Sequence, residues 1–265
     1  MRKVLNNNIK IIDVINDDNN ELPFVISIPH SGLYLTKNMN DNMNDDVILA
    51  NSDWYLSELY SFLKELGFTV VINNINRYVI DPNRELSFEN KDSYSKSLIY
   101  MKTTFLKDIY KNSPTEEEIN YRIDNFYQKY HNELQKQINK KFNYFDKVFL
   151  IDLHSFGKNI EADIVLGNDN NKTMSKELFD KFKDCFTNNG FIVSDNIPYK
   201  GGYIVRKYGA YENCESIQIE LSYKSYIENR EFIEEELPKI NQHLMSDCQK
   251  KLKKTFNSVK NNIQQ

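Results

Sequence analysis

The sequence predicts an α/β fold, with one domain over residues 1–265 and a mixed, mostly parallel central sheet flanked by helices. Two observations lead to this prediction. Short β-branched runs alternate along the chain with longer segments of helical periodicity. Most of the short runs are apolar on successive residues, as expected for strands that are covered on both faces. With 40% hydrophobic and 13% aromatic residues, a chain of 265 residues can bury a substantial core.

Seven apolar runs are predicted to form strands, because Val, Ile and Phe favour the pleated surface of a sheet. In chain order they are PFVISIP (23–29), FTVVIN (68–73), RYVID (77–81), KVFLIDL (147–153), ADIVLG (162–167), FIVSD (191–195) and SIQIELS (216–222). Helical segments separate most of these runs, which favours a mostly parallel sheet.

Helical periodicity marks four segments between and after the strands. They are predicted over residues 51–66, 115–142 and 175–188, and from about Arg230 to the end of the chain. The start of the second is the clearest, because SPTEEEI at Ser113 combines an N-cap candidate with acidic residues in the first turn.

Composition excludes several classes of partner. The 34 basic and 38 acidic residues are interspersed and give a net charge of −4, so no nucleic-acid partner is expected. The three cysteines form no CxxC pair and are predicted to be reduced thiols. Neither a signal peptide nor a run of about 18 apolar residues is present, so a soluble, cytoplasmic protein without a membrane partner is expected. The oligomeric state is left open.

Two of the four histidines stand at the ends of predicted strands, His30 in VISIPHSG and His154 in VFLIDLHSFG. Asp152 and Glu220 also fall late in strands, and ligands of open α/β sheets bind beyond the carboxyl ends of the strands. Two imidazoles and a carboxylate would suit a catalytic zinc ion, which keeps one position open for water. Glu220 interrupts an apolar strand, which is costly unless it has a partner or a function, so it is the candidate general base. The alternative is that each strand-end histidine is a hydrogen-bonded structural residue.

The other two histidines fall inside predicted helices. His243 is expected to be partly exposed on its helix. His131 stands among aromatic residues in FYQKYHNELQ, and both a structural and a functional role stay open for it.

Two further segments carry candidate substrate-binding residues. INRYVIDPNRE (75–85) sets Arg77, Asp81, Asn83 and Arg84 around a short apolar run, and arginine holds carboxylates through a planar fork. Its alternative reading is a strand and turn with surface ion pairs. YKGGYIVRKYGAYE (199–212), which contains Arg206, is predicted to be a loop over the site or a hairpin.

In this order and over most of the chain, IPHSG, NRYVIDPNRE, DLHSFG and GGYIVRKYG…IQIELS resemble the N-formylglutamate amidohydrolases, a family similar in fold to the zinc carboxypeptidases and aspartoacylases. The resemblance implies a zinc-dependent hydrolase of linear amides in amino-acid metabolism. Its substrate would be a small N-acyl amino acid, typically N-formyl-L-glutamate, which gives formate and L-glutamate. Another divalent metal is the alternative to zinc.

Residue by residue, the resemblance makes His30 and His154 metal ligands and Glu220 the general base. The zinc carboxypeptidases carry a Glu three residues after their first His, where this chain has Leu33, and Asp53 is the predicted replacement. Arg77, Asn83, Arg84 and Arg206 are the implied substrate-binding residues, and Asp152 would orient a ligand histidine. Many family members carry a further histidine before the QxE strand, where this chain reads NCES.

Three alternatives remain beside this reading. A metallophosphoesterase would use the DxH of residues 152–154 and a GNH segment that residues 167–169 half match, but only His243 follows to supply more ligands. A non-catalytic protein could bind an acidic metabolite through Arg77 and Arg84. A hydrolase of another amide, peptidoglycan-type or polyglutamyl, would need the same groups.

Overall fold

A seven-stranded mixed sheet organises the described residues, 2–86 and 96–263 of a computed structural model. Its strands are β2 (Ile12–Ile15), β3 (Phe24–Ile28), β5 (Thr69–Asn73), β6 (Val148–Phe156), β7 (Ile164–Gly167), β8 (Val193–Asp195) and β9 (Cys214–Ser222). Two short strands, β1 (Lys3–Val4) and β4 (Tyr34–Leu35), pair in parallel beside it.

The strand order is β2-β5-β3-β6-β9-β7-β8. The four central strands, β5, β3, β6 and β9, are parallel, whereas β2 and β7 pair antiparallel with β5 and β9. Strand β8 pairs in parallel with β7. The predicted fold class, a mixed and mostly parallel sheet between helices, is therefore confirmed.

Helices cover both faces of this sheet. They are α1 (Lys37–Asn42), α2 (Leu56–Leu59), α3 (Leu63–Leu66), α4 (Glu116–Arg122), α5 (Gln128–Phe142), α6 (Lys176–Thr187), α7 (Tyr203–Gly209) and α8 (Gln242–Ile263). Helices α5 and α7 pack on one face, where Val25, Val71 and Leu150 meet Leu134 and Ile204. Helices α2, α3, α6 and α8 bury the larger aromatic core on the other face. No helix in the described ranges has the length and apolar character that crossing a bilayer requires.

Four predictions of secondary structure need correction. RYVID is a turn and not a strand, because Asn76 bends the chain there. Its side-chain oxygen accepts from the backbone N–H of Tyr78 and its carbonyl oxygen from that of Val79, each at 2.9 Å. The helix predicted over 51–66 is only α2 and α3, since left-handed residues precede them. The C-terminal helix begins at Gln242 rather than near Arg230, after Pro238, with Asn241 capping its first N–H groups. The glycine-containing segment 199–212 is not a hairpin, and the loop predicted as its alternative covers only residues 199–202, because α7 begins at Tyr203.

The helices predicted over 115–142 and 175–188 are confirmed with small shifts. Thr115 caps α4 and Ser175 caps α6, each accepting from a backbone N–H in the first turn. Between α4 and α5 lies a single turn of π-helix, Ile123–Tyr127. The helical run is therefore continuous from Glu116 to Phe142, but it changes register in the middle.

Candidate active site

Three neighbouring parallel strands bring polar side chains to the carboxyl edge of the sheet. His30 follows β3 directly, His154 lies near the end of β6, and Glu220 lies near the end of β9. In the β6–β9 register His154 is the partner of Glu220, so the two residues stand side by side. The expectation that the strand ends converge is met for these three residues.

Asp53 reaches the same place from an irregular segment that precedes α2. Its backbone is left-handed, with a φ of 46°, and Asn51 and Tyr55 are left-handed as well, at 59° and 64°. The alternation turns the Asp53 carboxylate inward, where only 3% of the residue is exposed. Oδ2 of Asp53 also accepts a hydrogen bond from the backbone N–H of Ser155, at 3.2 Å.

His30, Asp53 and His154 form a group that could hold a metal ion, because one ligand atom from each lies within 4.8 Å of the others. The Nδ1 atoms of both histidines face the same carboxylate oxygen, Oδ2 of Asp53, at 3.5 Å for His30 and 3.0 Å for His154. These are the three residues that the sequence analysis chose as ligands, and the structure brings them together.

Each histidine is held from its far side by a second buried carboxylate. Nε2 of His30 lies 2.6 Å from Oδ1 of Asp81, and Nε2 of His154 lies 2.8 Å from Oδ2 of Asp152. Asp152 is fixed in turn by the hydroxyl of Ser27, which donates to its Oδ1 at 2.6 Å. Carboxylates in these positions leave both Nδ1 atoms directed at the shared space, the arrangement common around metal-binding histidines.

The donor set fits a divalent cation. Nδ1 of His30 is buried and has no hydrogen-bond partner among the described residues, although nitrogen atoms in such surroundings are normally satisfied. Burial lowers the pKa of His154, yet the carboxylates of Asp152, Asp53 and Glu220 raise it well above its usual value. The surroundings therefore favour positive charge at this point, and imidazole with carboxylate suits zinc and similar ions.

The surroundings also keep Asp53 and Asp81 ionised. Burial raises the pKa of each carboxyl, but the hydrogen bond of His154 and the charges of His30 and Arg77 outweigh this for Asp53 and lower its pKa well below the usual value. The charges of His30 and Arg77 hold the pKa of Asp81 well below its usual value. Both groups are therefore carboxylates at neutral pH.

Glu220 has different surroundings from the aspartates. Burial raises its pKa to about 7, the charge of His154 opposes this, and the charge of Asp53 adds to it. Oε1 of Glu220 accepts a hydrogen bond from Nε2 of Gln218, two residues earlier on β9, at 2.8 Å. A carboxyl whose pKa lies near neutrality can both take up and release a proton under working conditions.

The predicted arginines differ in placement. Arg77 lines the site, but its guanidinium donates to Asp53 at 3.2 Å and to Asp81 at 2.8 Å, so it neutralises carboxylates of the protein itself. Arg84 also lines the site, with Nη2 3.9 Å from Asp81. Arg206, on α7, is exposed, donates to the carbonyl of Gly201 at 2.8 Å, and does not line the cavity.

Asn83 connects the arginine segment to the histidines. Its Nδ2 lies 3.1 Å from Nε2 of His154, and its Oδ1 accepts from the backbone N–H of Ile204 at 2.8 Å. Gly202 permits this close approach, because a Cβ at that position would lie 2.2 Å from Nδ2 of Asn83. The Gly-Gly pair is thus required where the start of α7 packs on the site.

These residues surround a cavity of 620 Å³, the size of a small-molecule site. His30, Asp53, His154 and Glu220 line it together with Arg84, and Lys158 and Lys200 lie at its exposed margin. Aromatic walls come from Phe156, Tyr223 and Phe232. The cavity therefore joins a candidate metal centre to cationic side chains.

The remaining histidines lie away from this cavity. His131 is buried, its Nε2 lies 3.0 Å from the carbonyl oxygen of Pro82, and burial lowers its pKa to about 3. His243 is exposed and pairs with Asp247 at 2.9 Å, as expected from its helical position.

Sequence reasoning missed the roles of Asp81 and Gln218. From the sequence, Asp81 is only one of the polar residues around the apolar run of residues 77–81; in the structure its Oδ1 accepts from the N–H of Asn83 at 2.7 Å. The same oxygen contacts His30, a tertiary pairing that no sequence spacing encodes. The position of Gln218 could have been predicted from the sequence. It stands two residues before Glu220, and residues two apart on a strand share a face.

Comparison with known proteins identifies the family. The family model described as N-formylglutamate amidohydrolase matches residues 22–227. An N-formylglutamate deformylase of Pseudomonas putida is 29% identical over 225 residues, 79% of this chain and 84% of the relative. That of Pseudomonas aeruginosa is 25% identical over 231 residues, 82% of this chain and 87% of the relative.

The fold has a close counterpart among solved structures. The crystal structure of an N-formylglutamate amidohydrolase from Ralstonia eutropha JMP134 gives a TM-score of 0.81 at 24% identity, over 95% of this chain and 98% of that one. The family model spans most of the sheet and all of the candidate ligands. The resemblance predicted from four motifs is thereby confirmed: this chain belongs to the N-formylglutamate amidohydrolase family.

Proposed function

We propose that this protein hydrolyses the amide bond of N-formyl-L-glutamate, giving formate and L-glutamate, with a divalent metal ion, zinc in the first place, as cofactor. The observation that carries the proposal is the convergence of two histidine Nδ1 atoms on one carboxylate oxygen of Asp53, beside Glu220. The named activity of the Pseudomonas putida and Pseudomonas aeruginosa relatives supports the choice of substrate.

The ligands of the metal would be His30, Asp53 and His154. When bound, such an ion supplies Lewis-acid chemistry, polarising a carbonyl and lowering the pKa of a water to about 7. Asp81 and Asp152 hold the far nitrogen of each histidine and so keep its ligand nitrogen in place.

Glu220 would transfer the proton that the reaction needs. Its carboxylate accepts a proton from the attacking water while the water oxygen bonds to the formyl carbon. The same carboxyl then gives the proton to the amide nitrogen as the C–N bond breaks, so glutamate leaves with a neutral amine. A pKa of about 7 suits both directions of transfer at neutral pH.

The substrate's carboxylates would be bound by Arg84 with Asn83, while Arg77 keeps Asp53 and Asp81 ionised and in place. Arg206 is an additional carboxylate-binding candidate only if the segment before α7 brings it to the cavity. Lys158 and Lys200 add positive charge at the margin, where an anionic substrate enters.

The proposal is tested by metal analysis of the purified protein together with formate release from N-formyl-L-glutamate, measured with and without chelator. We expect about one zinc ion per chain and release that stops on chelation and returns with added zinc. N-formyl-L-leucine is the matched control, because it keeps the amide and one carboxylate but lacks the acidic side chain.

Each contrary result has a separate meaning. Bound zinc without formate release from N-formyl-L-glutamate would contradict the proposed substrate. It would leave a hydrolase of another amide as the proposed activity. Equal release from the leucine derivative would contradict the acidic side-chain preference. Tight binding of the substrate without metal and without turnover would favour a binding protein for acidic metabolites.

We also propose that the protein works in the cytoplasm, since Cys185, Cys214 and Cys248 are free thiols, the form kept in reducing compartments. Fractionation of cells that express it should place it with cytoplasmic markers. Recovery in an oxidising compartment would contradict this assignment.

A further inference from the structure

The segment that carries the candidate carboxylate-binding residues, Val79–Arg84, is held by one helix at three of its backbone carbonyls. Arg122 donates to the carbonyl of Val79 at 3.0 Å. The hydroxyl of Tyr127 donates to the carbonyl of Arg84 at 2.8 Å. Nε2 of His131 lies 3.0 Å from the carbonyl oxygen of Pro82. Because a carbonyl oxygen can only accept, this nitrogen is the one that carries the hydrogen.

The π turn between α4 and α5 sets the spacing of these donors. The backbone N–H of Gln128 bonds to the carbonyl of Ile123, five residues earlier, which widens the helix by one residue. Arg122 and Tyr127 therefore face the same segment although they stand five apart, and His131 follows Tyr127 by one regular turn. A wide turn of this kind often occurs at functional sites.

All three donor side chains are buried, which makes their hydrogen bonds difficult to replace by water. Arg122, Tyr127 and His131 are 0%, 4% and 4% exposed. The ring of His131 also stacks on Tyr208 and lies 4.5 Å, centroid to centroid, from that of Tyr127. Both rings are thus locked in position by packing as well as by their bonds.

Beyond Asp81, whose N–H donates to the carbonyl of Leu98 at 2.9 Å, the backbone of the segment has few other anchors among the described residues. Pro82 has no N–H, and the N–H groups of Asn83 and Arg84 bond within the same turn, to Asp81. Its position relative to the sheet therefore depends on side chains that reach it from elsewhere, and two of these, Tyr127 and His131, come from the helix.

We propose that Tyr127 and His131 are positioning residues for substrate binding, which fix Arg84 and Asn83 in the cavity through the carbonyls of Arg84 and Pro82. This inference rests on the proposed function, because it takes Arg84 and Asn83 as the groups that hold the substrate's carboxylate. Asp81, which holds His30, is anchored separately by Arg77 and by its own backbone N–H, which donates to the carbonyl of Leu98 at 2.9 Å. Tyr127 and His131 therefore control substrate affinity and leave the chemical step unchanged.

The test compares kinetics of Tyr127→Phe and His131→Phe with those of the wild type. Each variant keeps an aromatic ring and removes one donor to the segment. We expect KM for N-formyl-L-glutamate to rise about three- to tenfold in each, with kcat within twofold and the metal content unchanged, as for a loss of one hydrogen bond that acts equally on ground and transition state.

Two matched variants sharpen the result. His131→Gln retains an N–H donor for the Pro82 carbonyl and should restore most of the affinity that His131→Phe loses. Tyr121→Phe, on α4 and 52% exposed, removes a hydroxyl from the same helical run and should leave both constants unchanged. A wild-type KM in both Tyr127→Phe and His131→Phe, or a fall in kcat with constant KM, would overturn the proposal.

Hydrogen exchange at the amides of Asn83 and Arg84 separates this inference from the proposed function. If the wild type releases no formate from N-formyl-L-glutamate, the proposed substrate fails, and exchange alone decides the positioning role. Faster exchange in Tyr127→Phe, with unchanged exchange in the β3, β6 and β9 strands, supports the role. Unchanged exchange at both amides overturns it.

Discussion

The two halves of the site are held in different ways. His154 and Glu220 are paired residues of adjacent parallel strands, and His30 stands two residues beyond the end of the neighbouring strand, so the sheet itself brings the three together. Asp53, Arg77, Asn83 and Arg84 come from irregular segments, and each depends on side-chain bonds to carbonyls, carboxylates or the α7 N-terminus. The strand half holds two candidate metal ligands and the candidate base, whereas the loop half holds the third candidate ligand, Asp53, together with the candidate substrate-binding residues.

The largest effect should come from His30→Ala in the strand half. Removing this ligand leaves Asp53 and His154 only, so we expect zinc content to fall well below one per chain and formate release to fall by more than about 10³-fold. Elemental analysis beside the assay checks this. His243→Ala, an exposed histidine, is the control and should keep both; full zinc content in His30→Ala would contradict the ligand assignment.

Glu220→Gln should separate metal binding from catalysis within the same half. We expect kcat to fall by about 10²- to 10⁴-fold with zinc retained, because the amide cannot accept the proton of the water. Glu215→Gln, on the same strand and paired with Lys147 outside the cavity, is the matched control and should behave like the wild type. An unchanged kcat in Glu220→Gln would remove Glu220 from the mechanism.

Arg84→Ala tests the loop half. Loss of a charge-assisted hydrogen bond to a carboxylate should raise KM about 10- to 100-fold while kcat changes little. Arg206→Ala is the matched comparison. Arg206 is exposed, and the contact described for its guanidinium is to the carbonyl of Gly201. Steady-state kinetics decide between them, and a larger effect at Arg206 would reverse the assignment of the substrate-binding arginine.

The smallest effect concerns stability and pH at His131. Burial lowers the pKa of His131 to about 3, so the folded protein holds it neutral while the unfolded chain protonates it near its ordinary value of 6.5. The stability from this group is complete above pH 6.5 and is lost as the pH falls toward 3. His131→Gln should therefore reduce the difference in unfolding free energy between pH 7 and pH 5 by about 2 kcal/mol.

Urea unfolding at the two pH values measures this difference. The same pH dependence in His131→Gln and wild type would show that folding does not lower the pKa of His131.

The strand half could be predicted from the sequence more completely than the loop half, for a physical reason. Buried strands show as apolar runs, and a His or Glu at the end of such a run has a defined place, so His30, His154 and Glu220 were assigned correctly to one edge. Turns such as the one at Asn76 are made by single side chains. The apolar character of the RYVID run predicted a strand there instead of a turn.

Asp53 shows the limit of pattern reasoning in another way. The family resemblance predicts it as a ligand, and the structure places its carboxylate beside His30 and His154, yet the helix assigned to its segment does not start until Leu56. Helical periodicity cannot reveal three left-handed residues in alternation. Likewise, the sequence shows only that Arg77 stands in an apolar run. It does not show that the guanidinium pairs with Asp53 and Asp81.

The left-handed backbone of Asn51, Asp53 and Tyr55 has a consequence for folding. Left-handed backbone costs about 1–2 kcal/mol per residue for most side chains, less for Asn and Asp, so this segment opposes its own native shape. An ion held by Asp53 would bind only the folded form and offset that cost, which makes the cofactor a thermal stabiliser as well. We expect the melting temperature to rise with added zinc, and a constant melting temperature would show that the segment folds without it.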